Sequence, residues 1–220
     1  MIGIIVAEEK ELEEVLNITL IKNKRDIFDK TFYIGSINKK EVVIVKSNVG
    51  KVNSARSAQM LIDNFDIRIV INIGTSGSVD NNLNIGDVVV ADRLYQYDFD
   101  VTAFGRKLGE IENIGECIYT NKNILNKISK DLIVGGIASG DKFITRMEDK
   151  TFIRDKFNVV CIEMEGASIA QVCYLSNIPV LVIRSVTDKL DGTSEVDFVK
   201  FLEYSSRKVA NILKDIIEDI

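Results

Sequence analysis

The chain has 220 residues, 46% of them hydrophobic, with 28 basic against 33 acidic side chains and a formal charge of −5. That length is ample for a substantial core, and mild acidity without a basic segment argues against a nucleic-acid backbone as the main partner. There is no histidine, which excludes Ser-His-Asp triads, Cys-His nucleophiles, histidine-built zinc sites and imidazole bases; any proton chemistry must run on Asp, Glu, Lys, Tyr or Cys.

Taken in chain order, residues 2–7 read as a strand. The N-terminus has no basic n-region and only a short apolar run, so it does not read as a signal peptide. No apolar stretch is long enough to span a bilayer. Glu8, Glu9, Glu11, Glu13 and Glu14 read as the exposed first turn of a helix, and Lys22, Lys24 and Arg25 as a solvated loop. Strands follow at 32–37, 41–47, 68–73 and 86–92. Val42 to Val45 are apolar without alternation, which marks a strand buried on both faces. Between them, 52–65 reads as a helix whose stripe is Val52, Ala55, Ala58, Ile62 and Phe65. A shorter helix is expected at 121–130, strands at 133–138 and 158–162, a helix at 166–175 and a strand at 179–185. The clearest helix is 195–217, with Val199, Leu202, Ser206, Val209, Leu213 and Ile216 at spacings of three and four, and with Ser194 and Asp197 placed as a capping box. Cys117, Cys161 and Cys173 are odd in number, widely spaced and match no metal spacing, so they read as inert thiols in a reducing cytoplasm. With a single proline and no Gly/Ser-rich stretch, the whole chain, 1–220, reads as one domain: a three-layer α/β/α sandwich around a central mixed β-sheet.

Four segments could carry chemistry, one of them the acidic cluster Glu8 to Glu14, which taken alone reads as an exposed helix turn. Ile73-Gly74-Thr75-Ser76-Gly77-Ser78 ends an apolar strand; its small residues would let backbone approach a ligand, or form a tight turn. Glu163-Met164-Glu165-Gly166 links a strand to a helix; a carboxylate there can hold both hydroxyls of a ribose diol, or complement the helix dipole. In Arg184-Ser185-Val186-Thr187-Asp188 a buried strand runs into an aspartate suited to general acid work, or to capping a turn.

Together and in this order, these segments resemble one family, the methylthioadenosine/S-adenosylhomocysteine nucleosidases of the nucleoside phosphorylase-like superfamily. The resemblance runs over essentially the whole chain. It is carried by Ile2 to Ala7 with Glu11, by Lys46-Ser47-Asn48-Val49-Gly50-Lys51-Val52, by Asn72 to Gly77 and by Glu163-Met164-Glu165. Asp100-Val101-Thr102-Ala103-Phe104-Gly105, Ser139-Gly140-Asp141-Lys142-Phe143-Ile144 and Arg184 to Asp188 complete it.

The resemblance implies hydrolysis of an N-glycosidic bond, releasing adenine from a 5′-thio-substituted adenosine, with no metal and no cofactor. It implies that Asp188, oriented by Thr187, protonates the purine at N7, and that Glu11 is the base that activates water. Glu165 would bind the ribose hydroxyls, with Met164 under the sugar and Glu163 beside it. Phe143 would stack on the purine and the backbone of Ile144 would read its edge, while Thr75, Ser76 and Gly77 line ribose and base. Val49 and Phe198 match positions that line the 5′ pocket. Phe104 matches a residue contributed by a neighbouring subunit, which implies a homodimer. The chain departs from the family pattern at Glu8, at Arg106, in the proline-free stretch 109–114, in Gly-Thr-Ser-Gly-Ser and at Thr187. The alternative on the same fold is a purine or uridine phosphorylase. There an arginine two residues before the glycine typically grips phosphate, where this chain has Asn72, and Glu11 would repel the phosphate itself.

Overall fold

The computed structural model describes residues 1–128, 132–190 and 194–220, the side chains of 194 and 195 excepted. In chain order the elements are β1 (Ile2–Val6), α1 (Glu9–Asn17), β2 (Leu20–Ile27), β3 (Lys30–Ile37), β4 (Lys40–Lys46), α2 (Lys51–Asn64), β5 (Ile69–Ser78) and β6 (Val88–Gln96). After a short 3-10 turn, Thr102–Phe104, come β7 (Ile118–Tyr119), α3 (Lys122–Ile128), β8 (Ile133–Ser139), α4 (Met147–Phe157), β9 (Cys161–Glu163), α5 (Gly166–Leu175), β10 (Val180–Asp188) and α6 (Ser194–Asp219).

The strands form one mixed sheet. β1 runs parallel to β4 and β5, and β5 parallel to β10. β2, β3 and β4 form an antiparallel meander at one side. At the other side β10 also pairs with β6, β6 with β8, β8 with β9, and β9 returns to β5, so this half of the sheet curls round on itself.

The apolar strands are buried on both faces, as their lack of alternation requires. Ile2, Ile4 and Val6 of β1, Val42 and Ile44 of β4, and Ile69, Ile71 and Ile73 of β5 face one cluster, closed by Leu12 and Val15 of α1 and by Val209, Leu213 and Ile216 of α6. Ile5, Val43, Val45 and Val70 point the other way, into a cluster closed by Ala58 and Leu61 of α2 and by Ile169, Ala170 and Cys173 of α5. Two helical layers therefore sandwich the sheet.

Four expectations differ from the structure. Lys22, Lys24 and Arg25 lie on β2, which among the described residues is an edge strand paired with β3; charged side chains are what a solvent-facing edge tolerates. The segment Ile73–Ser78 is not a turn but the second half of β5. On α2 the buried face is Ser54, Ser57, Ala58 and Leu61, while Val52 is 78% exposed. Its serines are small enough for α2 to pack on α5, and their hydroxyls are satisfied locally: Ser57 donates to the Asn53 carbonyl and Ser54 shares a hydrogen bond with Ser168 at 2.8 Å. On α6 Val199 lies outside the buried stripe and is exposed. The Ser194 side chain, on which the expected cap depends, and residues 129–130 of the expected helix 121–130 lie outside what the structure describes.

Candidate active site

β1, β4, β5 and β10 are mutually parallel, so their carboxyl ends open at the same edge, where α/β sheets bind ligands. A cavity of about 290 Å3 lies there. Its lining includes Glu11, Val49, Thr75, Ser76, Gly77, Phe143, Ile144, Glu163, Met164, Glu165, Thr187, Asp188 and Phe198, so all the expected site residues but one converge on it. The exception is Phe104, which is 85% exposed on the 3-10 turn and does not line the cavity of its own chain.

Glu11 stands in the first turn of α1 but is not exposed; the face Glu11, Leu12, Val15 turns inward. Its Oε2 accepts the N–H of Ala7 at 2.9 Å and of Glu8 at 3.0 Å, and its Oε1 accepts the N–H of Thr75 at 2.9 Å. Burial pushes its carboxyl above the ordinary glutamate range, opposed by those three N–H groups and by the charge of Arg184. The result is a carboxylate held rigidly in place and more basic than one in water.

Asp188 ends β10 and is buried. The Nζ of Lys150 donates to its Oδ2 at 2.9 Å, and the Thr187 hydroxyl lies 3.1 Å from its Oδ1. Clearance for both carboxylates comes from β5. A methyl group at Gly74 would stand 2.7 Å from Glu11 Oε1, and one at Gly77 would stand 2.9 Å from Asp188 Oδ2. These glycines thus leave room for two acidic side chains, three strand residues or roughly 10 Å apart along β5.

Glu163 and Glu165 line the same cavity. Glu163 borders the cavity, yet protein donors hold both its oxygens. Oε2 accepts the N–H of Glu165 at 3.0 Å and of Gly166 at 2.7 Å, and a short bond from Arg184 Nη2, while Oε1 accepts a short bond from Ser139 Oγ. Glu165 accepts the N–H of Gly50 at 3.0 Å through Oε1, and its Oε2 is 3.8 Å from Arg184 Nη2. Burial, followed by repulsion from Glu163, pushes its carboxyl up to about 8. Arg184 is fully buried behind the cavity and also donates to Asn72 Oδ1 at 2.5 Å. The sequence alone gives Arg184 no evident task; in the fold it is the counter-charge to Glu163 and Glu165.

The apolar wall is formed by Phe143 and Phe198, edge-to-face at 5.6 Å between ring centroids, with Val49 and Ile144. The loop carrying Phe143 is pinned to its surroundings: Asp141 N–H donates to Asp98, Asp141 Oδ1 accepts Lys51 N–H, and Tyr97 donates to the Lys142 carbonyl at 3.1 Å. Among the described residues, the charged lining is five carboxylates (Glu8, Glu11, Glu163, Glu165 and Asp188) against the single ammonium of Lys142. Arg184 and Lys150, outside the lining, pair with Glu163, Glu165 and Asp188, so the acidity that penalises an anion rests on the remaining Glu8 and Glu11.

A family model of the phosphorylase superfamily matches residues 1–218. A 5′-methylthioadenosine/S-adenosylhomocysteine nucleosidase from Staphylococcus aureus is 36% identical, with the alignment covering all of both chains. The chain belongs to this nucleosidase family. Solved nucleosidase structures agree. The Streptococcus pneumoniae nucleosidase with a transition-state inhibitor, MT-ImmA, is 34% identical with a TM-score of 0.95, over 99% of this chain and 98% of that one. The Helicobacter pylori nucleosidase is 32% identical with a TM-score of 0.95, over 100% and 98%. The three-layer architecture of this chain is thus the nucleosidase fold.

Proposed function

We propose that this enzyme hydrolyses the N-glycosidic bond of 5′-methylthioadenosine, S-adenosylhomocysteine and related 5′-substituted adenosines, releasing adenine and the free thio-ribose. The observation that carries this reading is the acidic cavity itself. A buried, triply hydrogen-bonded Glu11 and a clamped Asp188 flank a pocket with one aromatic wall, lined by five carboxylates and one ammonium and backed by the buried cations Arg184 and Lys150.

Cleavage puts positive charge on the sugar and negative charge on the departing purine. Asp188 gives a proton to purine N7 as the C1′–N9 bond breaks, so that the base leaves as neutral adenine. Glu165 accepts hydrogen bonds from the ribose hydroxyls, and the negative charge of Glu11 stabilises the oxocarbenium-like sugar. Glu11 takes a proton from the water that attacks C1′. Phe143 stacks on the purine and Ile144 meets its edge, Met164 lies under the ribose, and Val49 and Phe198 enclose the 5′ group. Glu163 serves as the scaffold that fixes Glu165 and Arg184. A phosphate dianion would meet Glu11 where a phosphorylase needs a cation, and Asn72 is buried and committed to Ile5 and Arg184. Water suffers no such repulsion.

The active form is proposed as a cytoplasmic homodimer acting in methionine salvage and nucleoside catabolism. Exposed Phe104 supports the dimer, since it is an aromatic with no task in its own chain's cavity. Three free cysteines support a reducing compartment; burial pushes the thiols of Cys161 and Cys173 up to about 12, which makes them inert. The test is a panel of 5′-substituted adenosines with chromatographic detection of free base. Adenine release from 5′-methylthioadenosine or S-adenosylhomocysteine is the expected result; release from neither would overturn the reading.

A further inference from the structure

Asp188 has a partner outside every motif noted in the sequence. Lys150 lies in the first turn of α4, and its side chain is wholly buried. Its ammonium donates to Asp188 Oδ2 at 2.9 Å and to the Lys189 carbonyl at 2.6 Å. Burying an ammonium is costly unless its charge and protons are matched. The rest of the inward face of α4, Ile153 and Phe157, is apolar, so packing alone would be served by a methionine or leucine at 150.

The β5–β10 pairing shifts register at Thr187, and Asp188 re-enters the ladder opposite Gly77. The ladder fixes the backbone of the aspartate; its side chain is held by Lys150 at Oδ2 and Thr187 at Oδ1, one donor on each oxygen. Lys150 follows Phe143 and Ile144 by seven and six residues, so the segment that forms the purine wall also carries the clamp on the acid.

We infer that Lys150 is a positioning residue of this site: it holds the Asp188 carboxyl toward the purine leaving group and ties that alignment to the loop that binds the base. The inference rests on the reading of Asp188 as the group acting at N7. It therefore concerns only reactions whose leaving group needs a proton.

The test compares two substrates. With 5′-methylthioadenosine the purine departs protonated; with a 4-nitrophenyl riboside carrying the same 5′-methylthio group, the phenolate departs unaided. Lys150→Met should lower kcat on the nucleoside by about 100-fold, the scale of a misplaced catalytic group, with KM changed less than about 3-fold. Lys150→Arg, which restores a buried cation and donors, should recover most of that loss. Both variants should turn over the nitrophenyl riboside within about 3-fold of wild type, and adding Lys150→Met to Asp188→Asn should cost little more than Asp188→Asn alone. If Lys150→Met does not fold, Lys150→Gln carries the comparison. Equal loss on both substrates would mean a collapsed site and would overturn the inference, as would unchanged kcat on the nucleoside. Wild-type turnover by Asp188→Asn would instead strike the reading of Asp188, and the inference with it. A dead Asp188→Asn beside a normal Lys150→Met would strike the inference alone.

Discussion

Glu11 must be ionised to accept a proton from water, yet it is buried among other carboxylates. Its position in the folded chain is above the ordinary glutamate value because burial disfavours the charge. The sign follows directly: a base with a raised pKa is lost by protonation at higher pH, so kcat/KM should fall on the acid side at a pH above 4.5, the unperturbed value. Glu11→Gln should lower turnover by at least about 100-fold and remove that acid limb, and Asp188→Asn should cost a similar factor. Stopped assays of adenine release across pH, beside circular dichroism to show an intact fold, check both. Wild-type rates for the two variants would reject the assignment. In sequence, Glu11 looks like its neighbours Glu9 and Glu13, which are indeed solvated and paired with Lys46 and Lys10. Only its place in the ordered family pattern separates it from them. Lys150 could not be read at all, because a lysine at a core position breaks the apolar stripe that would have revealed α4.

β5 is the element that sets the spacing of the site. Gly74 and Gly77 each leave the space that a catalytic carboxylate fills, so a methyl group at either should displace Glu11 or Asp188. Gly74→Ala and Gly77→Ala are each expected to lower kcat at least about 10-fold, at a stability cost of about 1–3 kcal/mol from overpacking. Kinetics and thermal melts of the two variants check this; full activity would show that the clearance is dispensable. The strands of the central sheet were legible because both their faces are apolar. α2 and β2 differ from what the sequence pattern suggests for opposite reasons: α2 buries serines that a hydrophobic stripe does not count, and β2 is an edge strand whose side chains are mostly exposed. β5 and β10 run further than their apolar residues do, because their last residues serve the site and not the core.

At the scale of the whole molecule, the cluster of buried acids should couple stability to pH. Glu165 has its carboxyl raised to about 8 from an ordinary 4.5. A carboxyl raised on folding contributes stability that is fully present below the unfolded value and is lost as pH rises through the folded one. Melting temperature should therefore decline between about pH 4.5 and 8 through this group. Glu165→Gln should flatten that part of the profile and melt higher than wild type at pH 9, while losing ribose binding. A parallel decline in both proteins would show that Glu165 is not responsible. Assembly is a second whole-molecule property: sedimentation should give a dimer, and Phe104→Ala should raise KM for 5′-methylthioadenosine without loosening the fold. A fully active monomer at micromolar concentration would contradict it. The central claim, that water and not phosphate attacks the sugar, has a more direct test. The enzyme is supplied with 5′-methylthioadenosine in 18O-labelled water containing excess inorganic phosphate, and the sugar product is weighed by mass spectrometry. The account predicts free methylthioribose with the label at C1, formed at a rate independent of phosphate; a methylthioribose 1-phosphate product, or a strict need for phosphate, would contradict it.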